Sequence, residues 1–370
     1  MSKVLVTGGA GFIGSHLVEA LARLGHSIRV LDVLVDQVHG AVQRELPSEA
    51  ELVVSDVRDQ VSVEAALDDV EFVFHEAAEV GVGQSMYEIE RYVSANTLGT
   101  ATLLRALVAR RGQIKKLVVA SSMSIYGEGA YRCLECGPVA PSLRPGVQLE
   151  ARDWEMHCPR CQSILEPVPT PETKPLDPAS VYAVTKQDQE QLSIIVGRAY
   201  GIPTVALRYF NVYGSGQALS NPYTGVAAIF SSRLLNGQPP LIFEDGLQSR
   251  DFTHVSDIVQ ANLLAMQSES ANFEAINIGT GRATSVRQIA ELLASGLGVH
   301  LEPSIVGRFR EGDIRHCFAD ISRARQLLGF QPAVSLEDGI PHLLEWVKRQ
   351  RAKDGVLEAT QELQNHGLVR

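Results

Sequence analysis

The sequence lacks any apolar run near the roughly 20 residues that a membrane-spanning helix requires, although 45% of its 370 residues are hydrophobic. It also lacks a run of lysine and arginine, and its net charge of −10 offers no basic face to a phosphate backbone. These absences argue against a membrane protein and against a nucleic-acid-binding protein. Met1 leads directly into an apolar strand pattern, without the charged and cleavable segments of a signal peptide, which predicts a cytoplasmic protein.

Cysteine is scarce, with five residues in the whole chain, which argues against a small disulfide-rich secreted fold. Cys133, Cys136, Cys158 and Cys161 have the spacing C-x2-C-x21-C-x2-C, whereas Cys317 stands alone. That spacing is typical of a zinc ribbon, in which four thiolates hold Zn²⁺ tetrahedrally and leave no position open for a substrate. The sequence therefore predicts a structural Zn²⁺, with disulfides or free thiols as the alternative.

Short apolar strands alternate with helical patterns through the first part of the chain. This order predicts an α/β fold of the Rossmann type, a doubly wound parallel sheet. The predicted strands are 3–7, 27–32, 51–56, 72–78 and 116–122, and a further strand with its following loop is predicted over 204–214. The predicted helices are about 15–24, 61–68, 93–110 and 180–200.

The same pattern divides the chain into five segments. We expect an NAD-binding Rossmann domain over 1–130, an inserted zinc ribbon over 131–165, the catalytic helix and last Rossmann elements over 166–215, a smaller C-terminal and mainly substrate-binding region over 216–348, and a peripheral tail over 349–370.

A glycine-rich loop connects the first predicted strand to the first predicted helix. Gly8, Gly11 and Gly14 give the spacing G-x-x-G-x-x-G, which permits a tight turn and a close approach of the backbone to a pyrophosphate at the helix N-terminus. Asp32 ends the second strand, where a carboxylate can accept hydrogen bonds from the adenosine ribose and would repel a 2′-phosphate. The loop therefore predicts a dinucleotide site that prefers NAD to NADP.

Three side chains further along the chain could carry proton transfer. Tyr182 and Lys186 are four residues apart on a predicted helix and therefore share one face. A phenol titrates near pH ~10, so a base at neutral pH would need its pKa lowered by roughly 3 units, which a nearby ammonium group favours. Ser122 ends a strand, where its hydroxyl could donate to a substrate oxygen.

Five motifs carry a family resemblance: TGGAGFIGSH, Asp32, SSMSIYG, YAVTK and RYFNVYG. In this order they resemble the extended short-chain dehydrogenase/reductase family of nucleotide-sugar epimerases and dehydratases, over about residues 1–345 apart from the cysteine segment. The resemblance implies that Tyr182 is the catalytic base, that Lys186 lowers the pKa of Tyr182 and holds the nicotinamide ribose, and that Ser122 is the hydroxyl partner.

The resemblance also implies which residues bind the ligands. The implied NAD-binding residues are Gly8, Gly11, Phe12, Ile13, Gly14, Asp32, Asp56, Val57, Ala77, Asn96, Tyr182, Lys186 and Tyr209. The implied substrate-binding residues are Ser122, Asn211, Arg250 and Arg310. The two arginines would clamp the sugar-nucleotide diphosphate, because a planar guanidinium binds phosphate through two parallel hydrogen bonds.

Met123 and Ser124 follow Ser122, where dehydratases and decarboxylases of the family carry an acidic residue. The resemblance therefore favours hydride chemistry alone, in a C4 epimerase or in a reductase or dehydrogenase. EVGVGQSMYEIERY, NPYTGVAAIFSSRLLNG and GDIRHCFADISRARQLLGF are most similar to the dTDP-L-rhamnose 4-epimerase branch, which interconverts dTDP-L-rhamnose and dTDP-6-deoxy-L-talose. A UDP-glucose or other UDP-hexose 4-epimerase, a 4-keto-sugar reductase using exogenous NAD(P)H, and a non-catalytic cofactor sensor remain alternatives.

Three positions depart from the pattern of UDP-glucose 4-epimerases. Val80 stands where those enzymes often have lysine, and Cys317 stands where many have tyrosine near the sugar, which favours a different sugar. Glu76 replaces an apolar residue, and nothing in the sequence explains it.

The segment 131–165 lengthens the connection after a sheet strand, on the side of the sheet where ligands bind in open α/β folds. We expect it either to cover the sugar site or to contact a partner chain. The resemblance further implies a homodimer formed by the helices near 93–110 and 180–200.

Overall fold

The computed structural model describes residues 2–40 and 45–370. Its strands, numbered in chain order, are Lys3–Thr7 (β1), Ser27–Asp32 (β2), Ala50–Val54 (β3), Phe72–His75 (β4), Lys116–Ser122 (β5), Ala130–Cys133 (β6), Gly137–Val139 (β7), Glu166–Val168 (β8), Thr204–Tyr209 (β9), Asn211–Tyr213 (β10), Leu241–Ile242 (β11), Ser249–Arg250 (β12), Phe252–His254 (β13), Glu274–Ile278 (β14), Thr284–Ser285 (β15), Ser304–Ile305 (β16) and His316–Cys317 (β17).

The helices, also in chain order, are Phe12–Arg23 (α1), Asp36–His39 (α2), Gln60–Ala66 (α3), Val82–Ser85 (α4), Ile89–Tyr92 (α5), Gly99–Ala109 (α6), Gly146–Glu150 (α7), Val181–Tyr200 (α8), Val226–Leu235 (α9), Val255–Gln267 (α10), Val286–Leu297 (α11), Ser322–Leu328 (α12), Leu336–Val347 (α13) and Val356–Asn365 (α14). A π-helix spans Val93–Leu98 between α5 and α6, and a 3₁₀-helix spans Met123–Tyr126 after β5. Within the described residues, no helix is both long enough and apolar enough to cross a membrane.

Seven parallel strands form the main sheet, in the order β14-β9-β5-β4-β1-β2-β3. β1 lies between β2 and β4, so Val4 pairs with both Ile28 and Phe72. After β1 the chain continues through β2 and β3 to one edge of the sheet, and then returns to form β4 on the other side of β1. In such sheets, ligands bind at the carboxyl ends of the strands where the order reverses. The predicted doubly wound sheet is confirmed.

Successive residues of β1 face opposite sides of the sheet, and both sides are covered by helices. Val4 and Val6 pack in the core that holds α1 and α10, whereas Leu5 packs in the core that holds α3 and α6. All three side chains are completely buried. Helices on both faces explain why the strands are almost uniformly apolar.

The first helix starts earlier than predicted. α1 begins at Phe12 rather than near Ser15, with Gly11 as its extended N-cap residue. The predicted helix 93–110 begins as the π-helix and only then becomes α6. β3 and β4 end at Val54 and His75, each before its predicted end.

The remaining elements form a smaller region with its own core. Helices α9, α11 and α13 pack around apolar side chains such as Leu293 and Leu343, which are completely buried. The tail was predicted to be peripheral, and this prediction is wrong, because Leu363 and Val369 pack with Phe243 in a further cluster. Backbone hydrogen bonds between Phe309 and Arg370, with N–O distances of 3.0 and 3.1 Å, hold the end of the chain in place.

The inserted segment forms a small antiparallel sheet in the order β7-β6-β8, together with the short helix α7. Its apolar core cluster contains five buried residues, namely Tyr131, Cys133, Met156, Cys158 and Leu165. So small a core supplies little folding energy by itself.

Candidate active site

The glycine loop follows β1 directly and requires glycine at two positions. Gly8 has φ +70°, a left-handed conformation that strains other residues. A Cβ at Gly14 would lie 2.2 Å from the carbonyl oxygen of Gly8, so only glycine allows α1 to approach the loop this closely. No side chain caps the N-terminus of α1, so its partial positive charge remains available to a phosphate group.

A cleft of ≈ 1120 Å³ runs along the carboxyl ends of the central strands and continues into the smaller region. It brings together all but one of the predicted NAD-binding and substrate-binding residues: Gly8, Gly11, Phe12, Ile13, Gly14, Asp32, Asp56, Val57, Ala77, Ser122, Tyr182, Lys186, Tyr209, Asn211, Arg250 and Arg310. Their predicted contacts with cofactor and substrate remain predictions, but one continuous cleft contains them.

Asn96 is the exception, because it does not line this cleft. Its side chain is completely buried behind it. The amide oxygen accepts from the Glu79 amide at 2.7 Å, and the amide nitrogen donates to the Thr185 hydroxyl at 2.9 Å. Asn96 therefore ties the loop after β4 to α8 in this structure. The sequence around Asn96 gave no indication of which way its side chain points.

Asp32 lies at the end of β2 and is held by the backbone around it. One carboxylate oxygen accepts from the Ala10 amide at 3.0 Å and the other from the Leu34 amide at 2.9 Å. Burial alone would raise the pKa of Asp32, but hydrogen bonds from His39 and from these two amides bring it below its usual value. Asp32 is therefore an anion at neutral pH, oriented beside the glycine loop.

The predicted catalytic residues meet where β5 ends and α8 begins. Ser180 caps α8 by accepting from the Ala183 amide, and the Tyr182 amide donates to the Ser85 hydroxyl at 3.0 Å, so the first turn of the helix is fixed. The Lys186 ammonium donates to the Ala120 carbonyl at 2.8 Å, which ties the same helix to β5. Tyr182 and Lys186 are both buried. They line the same cleft, in keeping with the shared helix face that their spacing predicted.

Burial dominates the electrostatics of these groups. It raises the pKa of Tyr182 to about 12, although a hydrogen bond with Ser122 opposes the shift. It also lowers the pKa of Lys186 to about 8, against the attraction of Glu76. With these protein groups alone the phenol is neutral at physiological pH, and forming the phenolate requires positive charge beyond that of Lys186.

Glu76, which the sequence left unexplained, follows β4 and lines the cleft. Its carboxylate accepts from the Tyr209 hydroxyl at 2.8 Å, and that hydroxyl in turn accepts from the Asn262 amide nitrogen at 2.7 Å. Burial raises the pKa of Glu76 to about 7, although the Tyr209 hydrogen bond and the charge of Lys186 oppose the shift. Glu76 thus adds an ionisable group to the same electrostatic cluster as Lys186.

The two predicted clamp arginines line the far part of the cleft. Arg250 donates to the carbonyl oxygens of Ile314 at 2.7 Å and Arg315 at 3.0 Å. Arg310 donates to the Asp313 carboxylate at 2.8 Å, and its guanidinium carbon lies 4.8 Å from the centre of the Phe243 ring. Both arginines are therefore held by the single segment 313–315.

Asn211 also faces this part of the cleft. Its side-chain oxygen is buried and has no hydrogen-bond partner in the described part of the chain. Because buried polar atoms are normally paired, this oxygen marks a place where a ligand is expected.

The C-terminal tail contributes residues that sequence reasoning missed. Thr360, Leu363 and Leu368 line the cleft. The apolar residues of this charged segment were the only sequence feature that indicated packing. They do not reveal where α14 packs on the rest of the protein.

The four paired cysteines come together in the inserted segment. Their sulfur atoms lie within 4.8 Å of one another, and the Sγ atoms of Cys133 and Cys161 are 3.4 Å apart. None of the four forms a disulfide. A tetrahedral site with Zn–S bonds of ~2.3 Å requires S–S distances of about 3.8 Å, so the arrangement fits a metal with little adjustment.

Comparison with known proteins identifies the family to which the chain belongs. Residues 4–143 and 161–279 match the NAD dependent epimerase/dehydratase family, and the unmatched gap lies within the inserted segment. The chain is 38% identical to dTDP-L-rhamnose 4-epimerase of Burkholderia thailandensis, over 94% of this chain and 95% of that protein.

Two solved structures have the same fold. A UDP-glucose 4-epimerase from Thermotoga maritima, determined with UDP-glucose, has a TM-score of 0.77 at 33% identity and covers 94% of this chain and 99% of its own. A UDP-glucuronic acid 4-epimerase from Bacillus cereus, in complex with UDP-glucuronic acid and NAD, has a TM-score of 0.76 at 29% identity, with coverage of 94% and 99%. The chain belongs to the NAD dependent epimerase/dehydratase family, as the five sequence motifs predicted.

Proposed function

We propose that this protein is an NAD-dependent 4-epimerase of a nucleoside-diphosphate sugar, and that its substrate pair is dTDP-L-rhamnose and dTDP-6-deoxy-L-talose. The observation that carries the proposal is the single cleft that joins Ser122, Tyr182 and Lys186 to the paired arginines, with Met123 and Ser124 where an eliminating acid would stand. The 38% identity to the Burkholderia enzyme supports this sugar. The likeness to UDP-sugar epimerases keeps a UDP-hexose as the second candidate.

The cleft fits NAD in three respects. The close contact of Gly14 with Gly8 leaves the loop open to a pyrophosphate, the uncapped start of α1 provides amide donors, and Asp32 is oriented to accept from ribose hydroxyls. NAD held there would supply the acceptor for the hydride from C4 of the sugar and, once reduced, the donor that returns it to the opposite face.

The chain's own residues move the proton. The Tyr182 phenolate takes the proton of the C4 hydroxyl as the 4-keto sugar forms, and returns it when the sugar is reduced. The Ser122 hydroxyl donates to the same sugar oxygen. Lys186 supplies part of the positive charge that the phenolate needs, and the cationic ring of NAD would supply more, which would oppose the raised pKa of Tyr182.

Epimerisation also requires the keto sugar to turn over between the two hydride transfers. Arg250 and Arg310 can hold the diphosphate through charge-assisted hydrogen bonds while the sugar itself rotates. Because the cofactor is regenerated in each cycle, we expect it to stay bound.

Proton NMR of the purified protein with dTDP-L-rhamnose and no added cofactor tests this proposal, with UDP-glucose in a parallel tube. We expect signals of the C4 epimer to grow only in the first tube. Signals only with UDP-glucose would keep the reaction and replace the sugar. No reaction until NAD(P)H and a 4-keto sugar are supplied would contradict the proposal and favour a reductase.

We propose further that the four cysteines of the inserted segment bind one structural Zn²⁺. The small core of this segment supplies little stability, and a metal would supply the missing folding energy. Elemental analysis of the purified protein should give one zinc per chain, and the Cys158→Ser variant should have less than half of it. Four freely titrating thiols in a native, metal-free and fully active protein would contradict this assignment.

We also infer a cytoplasmic homodimer. Large apolar side chains are exposed on the two helical segments that the resemblance assigned to the interface, namely Val93 and Leu98 on one and Val184, Ile195 and Tyr200 on the other. Apolar patches of this kind mark interaction surfaces. Light scattering should give twice the chain mass of 40.2 kDa, and a monomer would contradict the inference.

A further inference from the structure

We propose that the inserted segment positions the two clamp arginines, and that Arg144 and Glu155 are its positioning residues. The inference rests on the proposed function, because it concerns the grip on a nucleotide diphosphate. Both residues lie in 144–160, the gap that the family does not match. The family pattern therefore says nothing about them, and their role is inferred from their contacts alone.

Arg144 connects the inserted segment to the body of the protein. It is almost completely buried and forms two parallel hydrogen bonds with the Glu244 carboxylate, at 2.8 and 2.9 Å. The same guanidinium donates to the Asp313 carbonyl at 3.2 Å and to the Trp154 carbonyl within the insertion at 2.9 Å. Arg144 thus holds the backbone of the residue whose carboxylate holds Arg310.

Glu155 makes the second connection, through Arg315. Arg315 is completely buried and donates to the Glu155 carboxylate at 2.5 Å and 3.2 Å. It also pairs with Asp245 at 2.6 and 2.9 Å and with Glu244 at 3.1 Å. A buried guanidinium held by several carboxylates has a fixed position, and so has the backbone that carries it.

The segment 313–315, which Arg144 and Glu155 contact, holds both clamp arginines. Residues 313–315 belong to no helix or strand. Their backbone pairs through the Arg315 carbonyl, which accepts from the Ser249 amide at 3.0 Å, and through the Asp313 amide, which donates to the Arg310 carbonyl at 3.2 Å. Their carbonyl oxygens at Ile314 and Arg315 accept from the Arg250 guanidinium, and the Asp313 carboxylate accepts from Arg310. Any shift of this segment therefore moves both arginines, and such misplacement weakens phosphate binding without touching the catalytic tyrosine.

The sheet of the insertion offers a matched control. Glu166 accepts from Arg132 at 3.0 Å, but both side chains are at least half exposed, whereas the partner of Glu155 is completely buried. The Glu155→Gln and Glu166→Gln variants remove the same charge from the same small sheet and its surroundings. Only Glu155→Gln removes the charge from the ion-pair network around Arg315 that supports the two clamp arginines.

Calorimetric titration with dTDP, and with UDP if dTDP does not bind, tests the proposal. We expect the E155Q variant to bind the nucleoside diphosphate about tenfold more weakly and to raise KM by a similar factor. Saturated turnover and the NAD content per chain should stay within about twofold of the wild-type values. The E166Q variant should match the wild type in all four measurements.

A double-variant cycle separates positioning from a general loss of structure. If Glu155 acts through the clamp, Glu155→Gln should have a much smaller effect on dTDP affinity when Arg250 is already replaced by lysine. An undiminished tenfold effect in the R250K background, or an E155Q variant that binds dTDP like E166Q, would overturn the inference. If the wild-type protein epimerises no nucleotide sugar and binds neither nucleotide, the proposed function fails instead.

Discussion

Replacement of Tyr182 by phenylalanine should lower turnover about a thousandfold, in the range found when a general acid–base group is removed. The variant keeps the aromatic ring, which packs against Tyr92 with 6.5 Å between ring centres, and loses only the hydroxyl beside Ser122. Folding and retained NAD should therefore be nearly unchanged. Initial rates of epimer formation, measured by NMR, together with the NAD released on denaturation, check both parts of this expectation.

The Tyr92→Phe variant is the matched control. Tyr92 is a completely buried neighbour, and its hydroxyl donates to Gln84 at 3.2 Å without lining the cleft. Its loss should change turnover no more than about threefold. If Y182F and Y92F have similar activities, Tyr182 is not the base, and a non-catalytic role for the cleft gains support.

Replacement of Gly14 by alanine should abolish the retention of NAD during purification. The new Cβ would lie 2.2 Å from the Gly8 carbonyl oxygen and 2.7 Å from the Gly9 Cα atom, which are backbone atoms that cannot rotate away. The glycine loop and the start of α1 must move apart, at a cost of about 1–3 kcal/mol or more in folding free energy. Chromatography of the denatured protein measures the NAD content, and thermal unfolding measures the stability.

The Gly112→Ala variant provides the comparison for this second experiment. Nothing lies within 4 Å of a Cβ at Gly112, and its φ is not in the left-handed range. It should keep both NAD and the wild-type melting temperature. A G14A protein that retains a full complement of NAD would show that the loop does not hold the cofactor.

The strands at the centre of the sheet were predictable because their signal is local. β1, β2 and β5 have the predicted bounds, since each is a short, mainly apolar segment bounded by polar or glycine-rich turns. The start of α1 was missed because glycine disfavours helices in general. Here the tight packing of Gly14 against Gly8 takes precedence over that propensity.

The features that the sequence did not reveal depend on contacts between distant residues. Arg144 and Glu244 are 100 residues apart, and neither belongs to a recognisable motif. The docking of the tail depends on pairing between Phe309 and Arg370, for which the local sequence has no signal. The sequence showed only that Glu76 replaces an apolar residue. Its hydrogen bond with Tyr209 and its interaction with the charge of Lys186 could not be predicted, because these residues are far apart in the sequence.

Hydride transfer to a retained NAD is tested most directly by running the epimerisation in D₂O with no added cofactor and following C4 of the sugar by NMR. We expect the product to keep protium at C4, because the hydride would leave that carbon for the retained cofactor and return to it without exchange. Deuterium at C4, or epimerisation that continues after the NAD has been removed, would show that this mechanism is wrong.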